Sequence, residues 1–150
     1  MLKMPMPAID LPDINVWLAL TCEDHQHHLR ARQYWEVESA ERLAFCRITM
    51  LGLLRLATNA KVMQNHPFRP AEAWKIYRDF LALPEVLFVA EPTGIEHQFV
   101  LNSETAHFPA SRWTDAYLAA FASTTGFRMV SFDSDFQRFP ELDFLHLSPS

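Results

Sequence analysis

The stretch Ser111–Phe136, SRWTDAYLAAFASTTGFRMVSFDSDF, contains the most informative sequence pattern of the chain. Its polar pair Thr114–Asp115 predicts the start of a helix, because short polar side chains there accept hydrogen bonds from the free N–H groups of the first turn. The almost uniformly apolar run Ala116–Ala122 predicts that this helix is buried. Gly126 ends the helix, and Arg128–Phe132 predicts a short strand that follows at once.

The two acids of this helix–turn–strand unit, Asp115 and Asp133, are expected to lie close together. The helix from Asp115 to Thr125 spans about 15 Å at about 1.5 Å per residue. The strand from Arg128 to Asp133 runs back by about 16 Å at about 3.3 Å per residue. If helix and strand pack antiparallel, both carboxylates reach the carboxyl edge of a sheet, where open α/β folds place their functional sites.

Length and composition limit the number of domains and the possible classes of protein. The 150 residues, 49% of them hydrophobic, predict one domain over residues 1–150 with a substantial core. A net charge of −5 argues against a polyanion binder that works through bulk charge, although a local basic patch stays compatible with it. Cys22 and Cys46 match no metal spacing, so we expect reduced thiols in a cytoplasmic protein. Neither a membrane-spanning run of about 18 apolar residues nor a signal peptide is recognisable.

Strands and helices alternate along the chain. Four more short strands are predicted, at Met6–Leu11, Leu43–Arg47, Val86–Ala90 and Asp143–Leu147. The helical segments between them are predicted at Asn15–Leu20, Asp24–Ser39, Thr49–Ala57 (with Thr49 as the cap), Pro70–Leu83 and Gly94–Ser103. This alternation favours an α/β fold with a mostly parallel sheet covered by helices on both faces.

Asp13 follows the first predicted strand, just as Asp133 follows the strand predicted at Arg128–Phe132. It either caps the next helix or serves as a ligand, and the pattern alone leaves both open. With Asp115, these acids are expected at one sheet edge. Crowded carboxylates repel each other, and a divalent cation such as Mg²⁺ or Mn²⁺ removes that repulsion. Such a site activates water for phosphodiester cleavage, whereas the alternative is a set of three unrelated helix caps and loop acids.

Two further features are ambiguous. His25, His27 and His28 suggest a metal site, but only His25 and His28 share a helix face, so a solvated helix start is favoured. Gly52 lies inside a predicted helix, where glycine costs about 1 kcal/mol relative to alanine. It therefore requires a reason, either close packing or room for a ligand.

Four blocks together resemble the PIN-domain nucleases, in particular the VapC-like ribonuclease toxins of toxin–antitoxin pairs. They are LPDINVWLAL, RITMLGLLRLATN, WTDAYLAAFA and MVSFDSDF, in the family's order and spacing over nearly the whole chain. The resemblance implies a three-layer α/β/α sandwich and metal-dependent endonucleolytic cleavage of RNA, with Mg²⁺ as the cofactor and Mn²⁺ as a substitute. It also implies a homodimer and a cognate VapB-like antitoxin whose C-terminal segment covers the acidic cleft.

Site residues carry over from this resemblance position by position. Asp13, Asp115 and Asp133 match catalytic, metal-binding acids of the family, and Asp135 matches a further acid that contacts metal through water.

Three other positions have a supporting place in the family's pattern. Asn15 supports the first acid, and Ser131 orients the site by hydrogen bonding. Gly52 occupies the position where the family usually has Glu, which leaves open whether one metal ion or two are held.

Two other classes of function remain as alternatives. Gly52 is also compatible with a catalytically weak or inactive module that only binds RNA or protein. A phosphotransferase with Asp13 as nucleophile is disfavoured, because the position of its second acid is Asn15. Arg47, Arg55 and Arg112 are candidates for RNA phosphate contacts, but the sequence assigns none of them and leaves the RNA target and the antitoxin open.

Overall fold

All strands of the described chain belong to one parallel sheet. The structure, a computed structural model, describes residues 7–149; Met6, where the first strand was predicted to begin, lies outside the described residues, as does Ser150. The sheet order is β3-β2-β1-β4-β5, and every neighbouring pair is parallel. The strands are β1 (Ile9–Pro12), β2 (Arg42–Phe45), β3 (Val86–Phe88), β4 (Arg128–Ser131) and β5 (Phe144–His146).

Helices cover both faces of the sheet, which confirms the predicted three-layer α/β/α architecture. They are α1 (Ile14–Thr21), α2 (His28–Gln33, continued by a π-helical turn at Tyr34–Glu38), α3 (Arg47–Ala57), α4 (Pro70–Leu81), α5 (Ile95–Ser103) and α6 (Trp113–Thr125). Short 3₁₀ turns lie at Ala110–Arg112 and Ser134–Arg138. Within residues 7–149 no helix has the length and apolar character needed to cross a membrane.

Each face of the sheet has its own core. On the face of α1 to α4, the Trp17 indole stacks on Phe45 with ring centroids 3.9 Å apart. On the other face, α6 packs its small residues against the sheet and against Phe136. The run Ala116–Ala122 is buried at every position except the half-buried Tyr117, as the apolar sequence predicted. This burial fixes α6 against β4 and hence the height of its first turn.

The start of α3 was predicted wrongly. The helix begins at Arg47 after the N-cap Cys46, and β2 ends at Phe45, so Thr49 lies within the first turn. The Thr49 hydroxyl accepts a hydrogen bond from the backbone N–H of Cys46 at 3.0 Å. Thr49 thus stabilises the helix start from the third helical position.

The start of α6 also differs from the prediction. The 3₁₀ turn Ala110–Arg112 continues directly into the helix, which begins at Trp113 rather than at Thr114–Asp115. No side chain caps this end. Asp115 consequently lies in the first turn, where a negative charge is favourable, and Arg112 lies at the helix entrance.

The histidine-rich segment is less exposed than predicted. Helix α2 begins only at His28, so His25 and His27 lie in the preceding turns. The His28 Nδ1 atom is 2.7 Å from the Ala19 carbonyl oxygen. His27 stacks on Phe132, with ring centroids 4.5 Å apart. These side chains are half-buried and pack against neighbouring elements, so the description as a solvated helix start was wrong.

A buried ion pair joins the two central strands at their amino ends. The Arg128 guanidinium donates to both oxygens of Asp10 at 2.8 and 2.9 Å. The Tyr34 hydroxyl and the Ala40 backbone N–H donate to the same carboxylate at 2.6 and 3.0 Å. The fully buried Asp10 is therefore satisfied by four donors, as a charge in a low-dielectric core requires.

Candidate metal centre

The carboxyl ends of β1 and β4 place Asp13 next to Ser131. The two strands are parallel neighbours, and the backbone N–H of Asp13 donates to the Val130 carbonyl at 2.8 Å. The Asp13 Oδ1 atom accepts a hydrogen bond from the backbone N–H of Ile14 at 2.8 Å, so Asp13 does cap α1. Its second oxygen, Oδ2, faces Ser131.

The hydroxyl of Ser131 connects the residues around Asp13. It donates to Asp13 Oδ2 at 2.7 Å and accepts from the Asn15 side-chain amide at 3.1 Å and from the Asp133 backbone N–H at 2.9 Å. A hydroxyl offers one proton and two lone pairs, so these three bonds use the full hydrogen-bonding capacity of the buried Ser131 hydroxyl. Ser131 and Asn15 thereby hold Asp13 and Asp133 in fixed relative positions.

Arg112 bridges the remaining acids. Its Nη1 atom is 2.7 Å from Asp115 Oδ2 and 3.0 Å from Asp133 Oδ2. Its Nη2 atom contacts Asp135 Oδ2. The helix–turn–strand unit therefore brings Asp115 and Asp133 to one place, as its length predicted, with a guanidinium between them. The only sequence signal for this contact is the i,i+3 spacing of Arg112 and Asp115 on a helix.

Burial and mutual repulsion set the charge state of the acids. The pKa of Asp13 is raised to about 6, chiefly by burial and further by the charges of Asp115 and Asp133. The hydrogen bonds from Ser131 and Ile14 oppose this increase only in part. The pKa of Asp115 is also raised by burial, although Arg112 lowers it. A cation placed among these carboxylates would relieve both costs.

The residues present fit a hard divalent cation in chemistry. Their donors are carboxylate oxygens, the type that Mg²⁺ and Mn²⁺ prefer. Within residues 7–149, however, no three His, Cys, Asp or Glu side chains already converge on a point from which they could hold a metal ion. The guanidinium of Arg112 contacts oxygens of Asp115, Asp133 and Asp135 instead.

No acid enters the site from α3. A Cβ atom at Gly52 would lie 2.2 Å from the Cδ1 atom of Ile14 on α1. Of the two reasons considered for this glycine, close packing is the one that the structure supports. The space beside Gly52 is filled by an apolar side chain, and α3 offers no carboxylate in place of the usual Glu.

The other two arginines named as candidates lie on or near α3. The Arg47 guanidinium lies over the Phe88 ring, 4.6 Å from its centroid. Arg55 is exposed and lines a surface groove between α3 and α4 with Trp74.

Comparison with known proteins gave concordant matches. The family model of the PIN domain matches residues 11–142. Ribonuclease VapC41 of Mycobacterium tuberculosis is 38% identical over 134 residues, which cover 86% of this chain and 92% of that protein. Ribonuclease VapC33 of the same organism is 30% identical over 135 residues, covering 88% and 93%.

Solved structures match over almost their whole length. Mycobacterium tuberculosis VapC20, described as a Sarcin-Ricin loop cleaving toxin, superposes with a TM-score of 0.67 at 18% identity, covering 91% of this chain and 99% of that one. VapBC2 of Rickettsia felis, bound to a DNA fragment from its promoter, superposes with a TM-score of 0.64 at 13% identity, covering 93% and 99%. At these low identities, the likeness to the two structures is evidence for the fold alone.

Proposed function

The chain belongs to the PIN domain family, and we propose that it is a metal-dependent endoribonuclease, the toxin of a toxin–antitoxin pair. The main support for the proposal is that three acids lie at the carboxyl edge of the sheet: Asp13 is hydrogen-bonded to Ser131, and Asp115 and Asp133 share the guanidinium of Arg112. The ribonuclease names of its relatives at 38% and 30% identity support the choice of substrate.

In this proposal Asp13, Asp115 and Asp133 hold a Mg²⁺ ion, which Mn²⁺ can replace, and Asp135 contacts it through water. The ion would polarise the phosphodiester and activate the attacking water. The protein's own contribution is positional. The Ser131 hydroxyl keeps the Asp13 carboxylate and the Asp133 backbone at hydrogen-bonding distance of one atom, which fixes the positions of these two residues relative to each other.

We propose a single metal ion. The family's usual Glu position is Gly52, and Ile14 fills the adjacent space. Three carboxylates together with water and a substrate oxygen suit one Mg²⁺, which normally keeps several non-protein ligands.

The proposed partners follow from the relatives. We propose that the chain acts in the cytoplasm on RNA as a homodimer and that a VapB-like antitoxin covers the acidic cleft. A toxin–antitoxin complex from Klebsiella pneumoniae superposes on this chain with a TM-score of 0.59 at 18% identity, which supports this kind of partner.

Cleavage of total RNA by the purified protein tests the function. We expect cleavage with Mg²⁺ or Mn²⁺, none with EDTA, and none with Asp115→Asn. Asp79→Asn is the matched control, because Asp79 lies on the surface of α4 in an ion pair with Lys75 and should leave the rate unchanged. Unchanged cleavage by Asp115→Asn would refute the assignment of the site. Folded protein that neither cleaves RNA nor binds Mn²⁺ would instead support the inactive binding module.

A further inference from the structure

Arg112 contacts the same carboxylates that the proposed metal ion requires. Its two terminal nitrogens engage Asp115, Asp133 and Asp135 at once. Only 26% of its side chain is exposed, so the contact is better shielded from solvent than an ion pair on the open surface. A guanidinium and a divalent cation that approach the same carboxylate oxygens repel each other, so the two compete for them.

The position of Arg112 is unfavourable for its own helix. Arg112 is the N-cap residue of α6, and the positive end of the helix dipole repels a cation there. Its side chain makes no capping hydrogen bond to the helix. The attraction that holds the guanidinium in place therefore comes from the three acids, and it weakens when another cation takes their charge.

Arg112 leaves the innermost acid untouched. Asp13 is held by Ser131 and by the N–H of Ile14, whereas Arg112 pairs with the outer acids at the mouth of the site. A guanidinium that gives up Asp115 and Asp133 would remain beside the place where the RNA phosphate must bind. Arginine suits that role, because its planar fork donates two parallel hydrogen bonds to phosphate oxygens.

We propose that Arg112 is an exchangeable counter-cation of this site, which neutralises the outer carboxylates in the metal-free protein, yields them to the metal ion and then binds a phosphate of the RNA. This inference rests on the proposed function. It makes Arg112 both a competitor of the metal and a contact of the substrate, and these two roles respond to mutation in opposite directions.

Calorimetric titration with Mn²⁺ tests the first role. Arg112→Gln is expected to bind Mn²⁺ about tenfold more tightly than the unmodified protein, because a competing positive charge is removed. Arg112→Lys keeps the charge but not the fork, so its affinity should fall between the two. The matched control is Arg138→Gln. Arg138 also faces Asp135, at 3.6 Å, but it is 71% exposed and should change the affinity by less than about twofold.

RNA cleavage at saturating Mn²⁺ tests the second role. Arg112→Gln is expected to cleave about a hundredfold more slowly, the usual effect of losing one donor to a developing charge. Arg138→Gln should cleave at nearly the original rate. A purely structural role for Arg112 would weaken metal binding and cleavage together, so tighter binding combined with slower cleavage identifies the proposed exchange.

The outcomes separate this inference from the function on which it rests. Equal Mn²⁺ affinity of Arg112→Gln and the unmodified protein would overturn the competition while Asp115→Asn, if it loses Mn²⁺, upholds the metal site. Tighter Mn²⁺ binding with undiminished cleavage would overturn the phosphate contact. No Mn²⁺ binding by the unmodified protein would overturn the proposed function itself. If circular dichroism shows Arg112→Gln to be unfolded, Arg112→Lys decides, and the inference then requires tighter binding and slower cleavage in that variant.

Discussion

Replacing Gly52 by alanine is expected to destabilise the protein, although alanine normally stabilises a helix by about 1 kcal/mol relative to glycine. Gly52 lies in the second turn of α3 and faces Ile14 of α1. The added Cβ atom would lie 2.2 Å from Ile14 Cδ1 and 2.6 Å from Ile14 Cγ1. Carbon atoms pack best about 3.5–4.0 Å apart, so either Ile14 leaves its rotamer or the two helices separate.

The size of the effect follows from these opposing terms. Overpacking of this kind costs about 1–3 kcal/mol, and the helix preference of alanine offsets about 1 kcal/mol of it. We therefore expect a net loss of up to about 2 kcal/mol, with a decrease in Tm of about 2–4 °C for each kcal/mol. If the two helices separate, cleavage should also slow, because the backbone N–H of Ile14 that donates to Asp13 moves with α1.

Thermal unfolding of Gly52→Ala, Ile14→Ala and the double variant provides the assay. If Ile14 is the obstacle, the double variant should be more stable than the sum of the single losses by about 1 kcal/mol. A higher Tm for Gly52→Ala, the result that helix propensity alone predicts, would refute close packing as the reason for this glycine. Strict additivity of the two substitutions would refute it as well.

Three further results are expected at the site. Burial raises the pKa of Asp13 to about 6, so its protonated form is favoured by folding, and the metal-free protein should lose stability as the pH rises through about 4 to 6. Asp13→Asn should remove that loss, worth roughly 3 kcal/mol, and raise the Tm in EDTA at neutral pH; a lower Tm would contradict the assigned cost of burial. Ser131→Ala should lower the free energy of unfolding by about 1–3 kcal/mol, because it leaves buried partners without hydrogen bonds. Ser131→Thr should keep most of the cleavage activity. Equal cleavage by the two variants would argue against a role for the hydroxyl in positioning the acids. Mn²⁺ should raise the Tm of the unmodified protein but not of Asp133→Asn, and an equal increase in both would place the ion elsewhere.

The helix–turn–strand unit within Ser111–Phe136 could be predicted from sequence because its information is local. An apolar run, a terminating Gly126 and a strand of matching length fix the helix–turn–strand unit without knowledge of other elements. The same lengths predict that Asp115 and Asp133 meet, and both do contact Arg112. The family resemblance predicted the sandwich, and the PIN domain match confirms that resemblance.

The missed features depend on side chains from separate elements. The reason for Gly52 lies in Ile14, which is far away in the sequence and gives no sign that it fills the space beside α3. His27 packs on Phe132, and no periodicity of either segment indicates that pairing. The bridging role of Arg112 depends on a 3₁₀ turn that shifts the start of α6, and element ends are where sequence patterns are least informative.

The buried pair of Asp10 and Arg128 has a consequence at the opposite end of the strands that it joins. The two residues are directly paired in the ladder, and the same alignment sets Pro12 beside Val130. A slip of β1 by one residue would turn its core side chains to the other face and separate the fully buried Asp10 carboxylate from Arg128. This alternative register is therefore strongly disfavoured. A contact at the amino ends of the two strands thus helps to set Asp13 and Ser131 side by side at their carboxyl ends.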